Sequence, residues 1–325
     1  MAPRILIFGT GGIGIAYAYI FSRVIPTSHL ITVCRSNYEA ASKNGFTINS
    51  AIWGENLKFI PVVVRSVSEG AELDPSQHFD YVIICSKALP TSPSTPKLIK
   101  PAISPSTTIV LIQNGIAIEE PYAKLYPENP LLSTVVYFPA NQTSPGVVLH
   151  SEKTEMLHIG AYPASSNTDS ATKFAKILTD AGATTKVHAD VQFERWSKLV
   201  VNASWNPICA LTRSRDAQFL HSSPDATEFV KDVMLEIAAV ANACGYPDIN
   251  VDLVAFQLNR ATARKLPGVD PSMYVDAMHG RNMEVEAIVG NVIGLAKEKG
   301  VRTPLLRAIY MLVAGLDDSF TREKQ

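Results

Sequence analysis

Residues 4–19 read RILIFGTGGIGIAYAY, and this stretch limits what the chain can fold into more than any other. An apolar run from Ile5 to Phe8 leads directly into Gly9, Thr10, Gly11, Gly12, Ile13 and Gly14, and an alanine-rich aliphatic segment follows to Val24. The pattern predicts a strand, a glycine turn and a helix. Three of the glycines, Gly9, Gly11 and Gly14, have the spacing G-x-G-x-x-G. In that spacing the first permits a tight turn, the second lets a pyrophosphate approach the backbone, and the third lets the helix pack close to the strand. The helix N-terminus then offers unpaired N–H groups and the positive end of the helix dipole to phosphate. Glycine-rich turns are common, and the spacing gains its meaning from context: it follows an apolar strand and opens a helix.

About twenty residues further on, at the end of the second strand, stands the residue that would meet the adenosine ribose. Residues 29–36 read HLITVCRS. An unphosphorylated ribose calls for Asp or Glu to accept from its hydroxyls. This chain places Arg35 there, with Ser36 beside it. A guanidinium suits a dianionic 2′-phosphate through bidentate, charge-assisted bonds. These residues read as an NADP(H) site. Glu39 stays open as an alternative ribose partner, because the acidic position varies by a few residues.

A chain of 325 residues predicts about two domains. It carries 29 basic and 30 acidic residues with no basic block, which argues against nucleic acid as a partner. The opening, Met1 to Ile5, has no apolar region separate from the first strand, so it does not read as a signal peptide. No apolar run is long enough to span a bilayer, and the last four residues, 322–325, form no evident address. Cys34, Cys85, Cys209 and Cys244 are far apart and form no C-x-x-C, which reads as free thiols in a reducing compartment. The histidines lack metal-ligand spacing, and no metal site is expected. The expectation is a cytoplasmic protein with no membrane partner.

Further along, 46–53 and 57–64 read as short strands, and 80–85 and 108–113 as continuous apolar strands buried on both faces. The first of these buried strands ends in Ser86-Lys87-Ala88, the second in Asn114-Gly115. In an open parallel sheet, ligands bind beyond the carboxyl ends of the strands. The glycine turn, Arg35, Lys87 and Asn114 all fall at such ends, so four separate strands contribute to one rim. A strand at 131–138 follows. Pro145-Gly146 predicts a hairpin pairing 147–150 with 156–159. An amphipathic helix at 168–181 stops at Gly182, and a short strand at 184–188 ends the first domain. Beyond it the pattern is helical. The predicted domains are 1–189, an NADP-binding Rossmann-like α/β domain, and 190–325, an all-helical domain that contributes the substrate site and a possible homodimer surface.

The helical part opens with a second group of polar residues. Lys198, Asn202 and Asn206 are four apart and form one stripe on a helix. Leu199, Val200, Val201 and Ala203 surround them, and a lysine with two asparagines on such a helix is costly unless it faces a pocket. A solvated stripe is the alternative. Pro207 should end or kink the helix there. Later, Asp270 and Pro271 read as the cap and first residue of a helix carrying Ser272, and Asn282 as the cap of a helix from 283 to about 299 with Glu284 in its first turn. By themselves Ser272 and Glu284 read as a helix-start hydroxyl and a first-turn acid.

Together these residues resemble the ketopantoate reductase (2-dehydropantoate 2-reductase) family. The likeness covers most of the chain in order: the glycine motif, Arg35, Ser86-Lys87-Ala88, Asn114-Gly115, Lys198/Asn202/Asn206-Pro207, Ser272-Met273, and Glu284 with Gly290. The Lys-Asn-Asn-Pro block is its most specific part. The resemblance implies NADPH-dependent reduction of a 2-oxo acid to a D-2-hydroxy acid, with ketopantoate as the leading substrate. It implies Lys198 as general acid and Glu284 as its partner in the active site. It further implies Ser272 on the substrate carboxylate, Asn202 and Asn206 on the substrate hydroxyl or lining its pocket, Lys87 and Asn114 facing the cofactor, and Arg35 on the 2′-phosphate. Pro271 and Asn282-Met283 depart from the family pattern, which bears on which 2-oxo acid is taken. Two other readings remain: a D-2-hydroxyacid dehydrogenase for a bulkier or aromatic 2-oxo acid, and a non-catalytic NADP(H)-binding sensor.

Overall fold

The computed structural model describes residues 2–323, so the readings of residues 1, 324 and 325 lie outside it. The chain forms two compact units. One comprises the residues up to Lys87, then Thr91–Asn114 and Glu119–Val191. The other comprises Ala88–Pro90, Gly115–Ile118 and the chain from Gln192 onward.

The strands of the first unit are β1 (Ile5–Phe8), β2 (Leu30–Val33), β3 (Phe46–Ser50), β4 (Gly54–Phe59), β5 (Val62–Val64), β6 (Tyr81–Ile84), β7 (Thr108–Leu111), β8 (Leu131–Tyr137), β9 (Ala140–Ser144), β10 (Val147–His150), β11 (Met156–Tyr162) and β12 (Thr185–Val187). Its helices are α1 (Gly12–Ser22), α2 (Tyr38–Asn44), α3 (Val67–Glu72), α4 (Thr95–Leu98), α5 (Glu120–Leu125) and α6 (Asp169–Asp180). One sheet has the order β12-β11-β8-β7-β6-β1-β2-β5 and is parallel except for β8 with β11. β2, β6 and β7 are buried along their whole length, as strands covered on both faces must be. Ile5, Ile7 and Ile83 from the sheet, Ile15, Tyr17 and Phe21 from α1 and Phe174 from α6 join one core cluster. Each such side chain, fully buried, contributes about 1.5–3 kcal/mol. This is the Rossmann-like α/β architecture the sequence predicts.

Two strand readings are corrected. The predicted strand 57–64 is divided at Ile60-Pro61 into β4 and β5, which belong to different sheets. Proline cannot donate to a ladder, and the chain changes sheet there. The predicted pairing of 147–150 with 156–159 does not form. β10 pairs instead with β9 across the Pro145-Gly146 turn, where Gly146 has φ +77°, and with β3 in a four-stranded sheet. β11 pairs with β8 over seven residues, from Met156 opposite Tyr137 to Tyr162 opposite Leu131. In that longer register four of the seven residues of β11 are buried, including Leu157 and Ile159.

The second unit carries α7 (Gln192–Thr212), α8 (Asp216–Leu220), α9 (Ala226–Ala243), α10 (Val251–Thr262), α11 (Ser272–Met278), a π-helical turn at Glu286–Gly290, α12 (Asn291–Lys299) and α13 (Pro304–Arg322). α7 is its central helix and packs against α9, α11 and α13. Pro207 does not end α7, which runs on to Thr212. An interior proline costs about 3 kcal/mol. Here Trp205, Ile208, Cys209 and Ala210 are buried around it, and that packing offsets the loss.

The starts of α11 and the last helical stretch also differ from expectation. Asp270 does not cap α11. Its carboxylate is held by Arg215 through Nε at 2.5 Å and Nη2 at 3.1 Å, Pro271 takes the N-cap position, and Ser272 becomes the first helical residue. Asn282 and Met283 are tied to α13 instead of opening a helix: Asn282 Nδ2 donates to Thr321 Oγ1 (2.9 Å) and the Met283 N–H to Asp317 Oδ1 (2.6 Å). Helical geometry begins at Val285, so Glu284 precedes the helix and is not a first-turn acid.

Candidate functional site

Within the first unit, the predicted rim assembles along one edge of the large sheet. Leu111, Ile84, Phe8, Val33 and Val64 stand in register across the ends of β7, β6, β1, β2 and β5. Asn114, Lys87, the glycine turn and Arg35 follow directly from these strand ends. Lys87 and Arg35 are exposed and Asn114 is half-buried.

The glycine turn shows what each position tolerates. Gly9 has φ +99°, and a Cβ there would stand 2.4 Å from the Ser86 backbone nitrogen. A Cβ on Gly14 would come within 1.9 Å of the Gly9 carbonyl oxygen, and one on Gly12 within 2.2 Å of the Ala140 carbonyl oxygen. Gly11 is different: a Cβ there meets nothing within 4 Å. Its side of the turn is open, as the approach of a phosphate group requires. Thr10 is buried, with Oγ1 donating to Cys34 Sγ (3.2 Å), and Ile13 packs on the core of the unit. Sequence reasoning missed Asn37. Its Nδ2 donates to the Thr10 carbonyl (2.5 Å), and its amide exchanges bonds of 3.2 and 2.7 Å with Gln142. It ties the turn after β1 to the one after β2, across 27 residues of sequence that carry no local signal of the pairing.

The alternative ribose partner is already engaged. Glu39 Oε1 accepts from Arg65 Nη2 at 2.5 Å, and the Arg65 guanidinium lies 3.7 Å from the Tyr38 ring centroid. The Arg35 side chain makes no hydrogen bond or ion pair among the described residues. Arg65 is a second missed cation of this rim, directly after β5. A signal was present: residues 33–36 read VCRS and 63–66 read VVRS, two strands ending in the same arginine–serine pair.

Within the helical unit, Lys198, Asn202 and Asn206 lie on α7 as predicted, the lysine and Asn202 half-buried and Asn206 4% exposed. Among the described residues neither amide side chain has a hydrogen-bond partner, which leaves two donor–acceptor groups one turn apart on a largely buried helix. Ser272 opens α11, which packs along α7, and is exposed. Glu284 is 9% exposed and its Oε1 accepts from the Ala88 N–H at 2.9 Å. The π-helical turn just after it is a geometry often found at functional sites. Here the turn holds a neighbouring segment. The Ile116 N–H donates to the Ala287 carbonyl (3.0 Å), Asn291 Nδ2 donates to the Ile116 carbonyl (2.7 Å), and Arg195 Nη1 donates to the Gly115 carbonyl (2.8 Å). These tethers and Arg195 itself, 3% exposed, were not legible in the sequence.

Burial first, and then the positive charge of Arg195, bring the Lys198 ammonium down from the ordinary 10.5 to about 7, against the opposing pull of Glu284. Such a lysine exchanges its proton near neutral pH. It also weighs on stability. Between pH 7 and 10.5 the unfolded chain holds the lysine proton more tightly than the folded one, so stability rises with pH across that window, and the full penalty applies below it. Lys198→Met is therefore expected to raise stability by on the order of a few kcal/mol below pH 7. The gain should shrink as pH rises towards 10.5, and thermal melts of both proteins at several pH values check this.

Comparison with known proteins accounts for nearly the whole chain. Residues 5–164 match the family described as ketopantoate reductase PanE/ApbA, and residues 190–317 match its C-terminal domain. The crystal structure of 2-dehydropantoate 2-reductase from Methylococcus capsulatus superposes with a TM-score of 0.84 at 31% identity, over 97% of each chain. The 2-dehydropantoate 2-reductase of Nostoc sp. is 25% identical over 96% of this chain and 94% of its own. D-mandelate dehydrogenase, in a ternary structure with NADH and anilino(oxo)acetate, shares the fold with a TM-score of 0.83 at 21% identity. No helix among the described residues is long and apolar enough to cross a membrane. With both domains matched in order, this chain belongs to the ketopantoate reductase PanE/ApbA family.

Proposed function

We propose that the protein reduces a 2-oxo acid to a D-2-hydroxy acid with NADPH, and that 2-dehydropantoate (ketopantoate) is the substrate. The observation that carries this reading is Lys198: a half-buried lysine whose proton is exchangeable near pH 7, with a buried carboxylate acting on it and two unpartnered amides on the same helix.

The residues of the first unit fit a dinucleotide. The open face at Gly11 and the free N–H groups at the start of α1 suit a pyrophosphate. Arg35, with no protein partner to lose, suits a 2′-phosphate, and Lys87 and Asn114 stand on the same rim for the rest of the cofactor. NADPH, when bound, supplies the hydride that adds to C2 of the oxo acid. Lys198 Nζ gives its proton to the carbonyl oxygen as negative charge develops there, so the product leaves as an alcohol and the lysine is left neutral. Glu284 orients the ammonium. Asn202 and Asn206 hold the substrate hydroxyl, and the Ser272 hydroxyl meets its carboxylate.

Arg35→Ala is expected to weaken NADPH by about tenfold to a hundredfold, the worth of one charge-assisted contact, and to leave NADH nearly unchanged. Equal losses for both nucleotides would remove the 2′-phosphate from Arg35. The reading as a whole is tested by following NADPH oxidation with ketopantoate, pyruvate, 2-oxoisovalerate and benzoylformate, with NADH in parallel. Turnover of ketopantoate with NADPH supports it. Turnover of benzoylformate alone would move the substrate to an aromatic oxo acid, and nucleotide binding without turnover of any would leave a sensor.

A further inference from the structure

We propose that Arg195 is a positioning residue for the proton donor: its buried guanidinium, one helical turn before Lys198 and anchored on the Gly115 carbonyl, sets how readily the lysine gives up its proton. The inference rests on Lys198 being that donor.

Arg195 and Lys198 are three apart on α7 and therefore share a face. Arg195 is 3% exposed, and its Nη1 donates to the Gly115 carbonyl at 2.8 Å. Two cations brought together on a buried helix face repel each other, and one of them must yield. A guanidinium keeps its proton under all conditions a protein meets, so the lysine yields. A carbonyl needs only a neutral donor. Glutamine or asparagine would serve it at lower desolvation cost. The direction of the Lys198 shift agrees, with Arg195 named among its causes after burial.

Acidic groups also stand on the segments packed around α7. Glu284, before the π-helical turn, pulls the lysine the other way. Glu286 in that turn accepts from the Tyr310 hydroxyl, and Asp317 on α13 accepts from the Met283 N–H. Asp276 on α11 is paired with Arg281 at 3.0 Å, Asp216 on α8 with Arg264, and Glu236 on α9 accepts from the Leu305 and Leu306 N–H groups. Arg195 is a positive neighbour that lowers the lysine.

The test is the pH dependence of kcat for oxo-acid reduction by the whole enzyme. Protonated Lys198 is the active form, so the wild-type rate should fall as pH rises through about 7. Arg195→Gln keeps a donor for the Gly115 carbonyl and removes the charge. It should move that fall upward by about one pH unit or more, the usual effect of a nearby charge. Arg195→Lys places there a cation that can itself lose its proton on burial, so its profile should fall between the wild type and Arg195→Gln. Asn291→Ala loosens the same segment without changing charge and should lower the rate at every pH without moving the profile. If Arg195→Gln does not fold, Arg195→Met serves as the charge-free variant. An unmoved profile in the charge-free variant, or an equal shift in Asn291→Ala, overturns the proposal. Full turnover by Lys198→Ala would instead overturn the assignment of the donor, so the two failures are distinguishable.

Discussion

Lys198→Ala is expected to lower kcat for the 2-oxo acid by about 10²- to 10⁴-fold while leaving NADPH affinity close to wild type. Adding hydride to a ketone creates an alkoxide, which needs a proton and a positive charge as it forms. The amides of Asn202 and Asn206, on the same helix, can donate a hydrogen bond but cannot release a proton at neutral pH. Buried Glu284 cannot replace the charge, since its sign is wrong. Lys198→Arg separates the two contributions. A guanidinium restores the charge but does not give up its proton, so this variant should recover only part of the loss. Steady-state NADPH oxidation measures kcat, and a fluorescence titration of NADPH measures binding. Turnover in Lys198→Ala near the wild-type rate would show that the proton comes from elsewhere.

The second large effect separates two glycines of one motif. Gly14→Ala should abolish the folded protein or destabilise it by about 3 kcal/mol or more, because overpacking here has no flexible atom to displace. The new Cβ would stand 1.9 Å from the Gly9 carbonyl oxygen, and its next neighbours are the Gly9 carbonyl carbon at 2.9 Å and Cys85 Cβ at 3.3 Å. Relief would require α1 to leave β1, and Ile15, Tyr17 and Phe21 on that helix are all fully buried. Gly11→Ala should fold. Gly11 is the N-cap residue with φ −79° and ψ −163°, a Cβ there meets open space, and the lost cap preference costs about 1 kcal/mol or less. What it should lose is nucleotide affinity, by about tenfold, as the methyl group stands where a phosphate must approach. Thermal melts and NADPH titrations of both variants decide. Wild-type affinity in Gly11→Ala would show that the pyrophosphate does not sit on this turn, and a normal melt for Gly14→Ala would contradict the close approach of helix and strand.

Much of the first unit was legible because its signals are local. A buried parallel strand is a short apolar run, and its carboxyl end is the next residue. Arg35, Lys87 and Asn114 could therefore be assigned to one rim without knowing the strand order. The rest of the rim was hidden for a definite reason. Asn37 holds the glycine turn from 27 residues away, and Gln113 Nε2 holds the Ser86 carbonyl (2.7 Å) from as far. Nothing in the sequence near either residue marks its partner. β10 and β11 were misassigned for a related reason: a turn signal shows where the chain reverses but not which strands then pair.

By itself, the sequence of this protein determined the α/β and helical halves, the glycine turn, the cations at the strand ends and the Lys-Asn-Asn stripe, because periodicity and spacing are properties of neighbouring residues. The tertiary structure decided the charge state and the setting of those groups. Glu284 reads as a helix-start acid in the sequence, and only folding brings it to the Ala88 N–H across 196 residues. Nothing in the sequence singles out Arg195, and only burial beside Lys198, with the Gly115 carbonyl 80 residues away, makes it an electrostatic neighbour. Proton affinity depends on desolvation and on nearby charges, and both come from packing between distant parts of the chain, which no local pattern encodes.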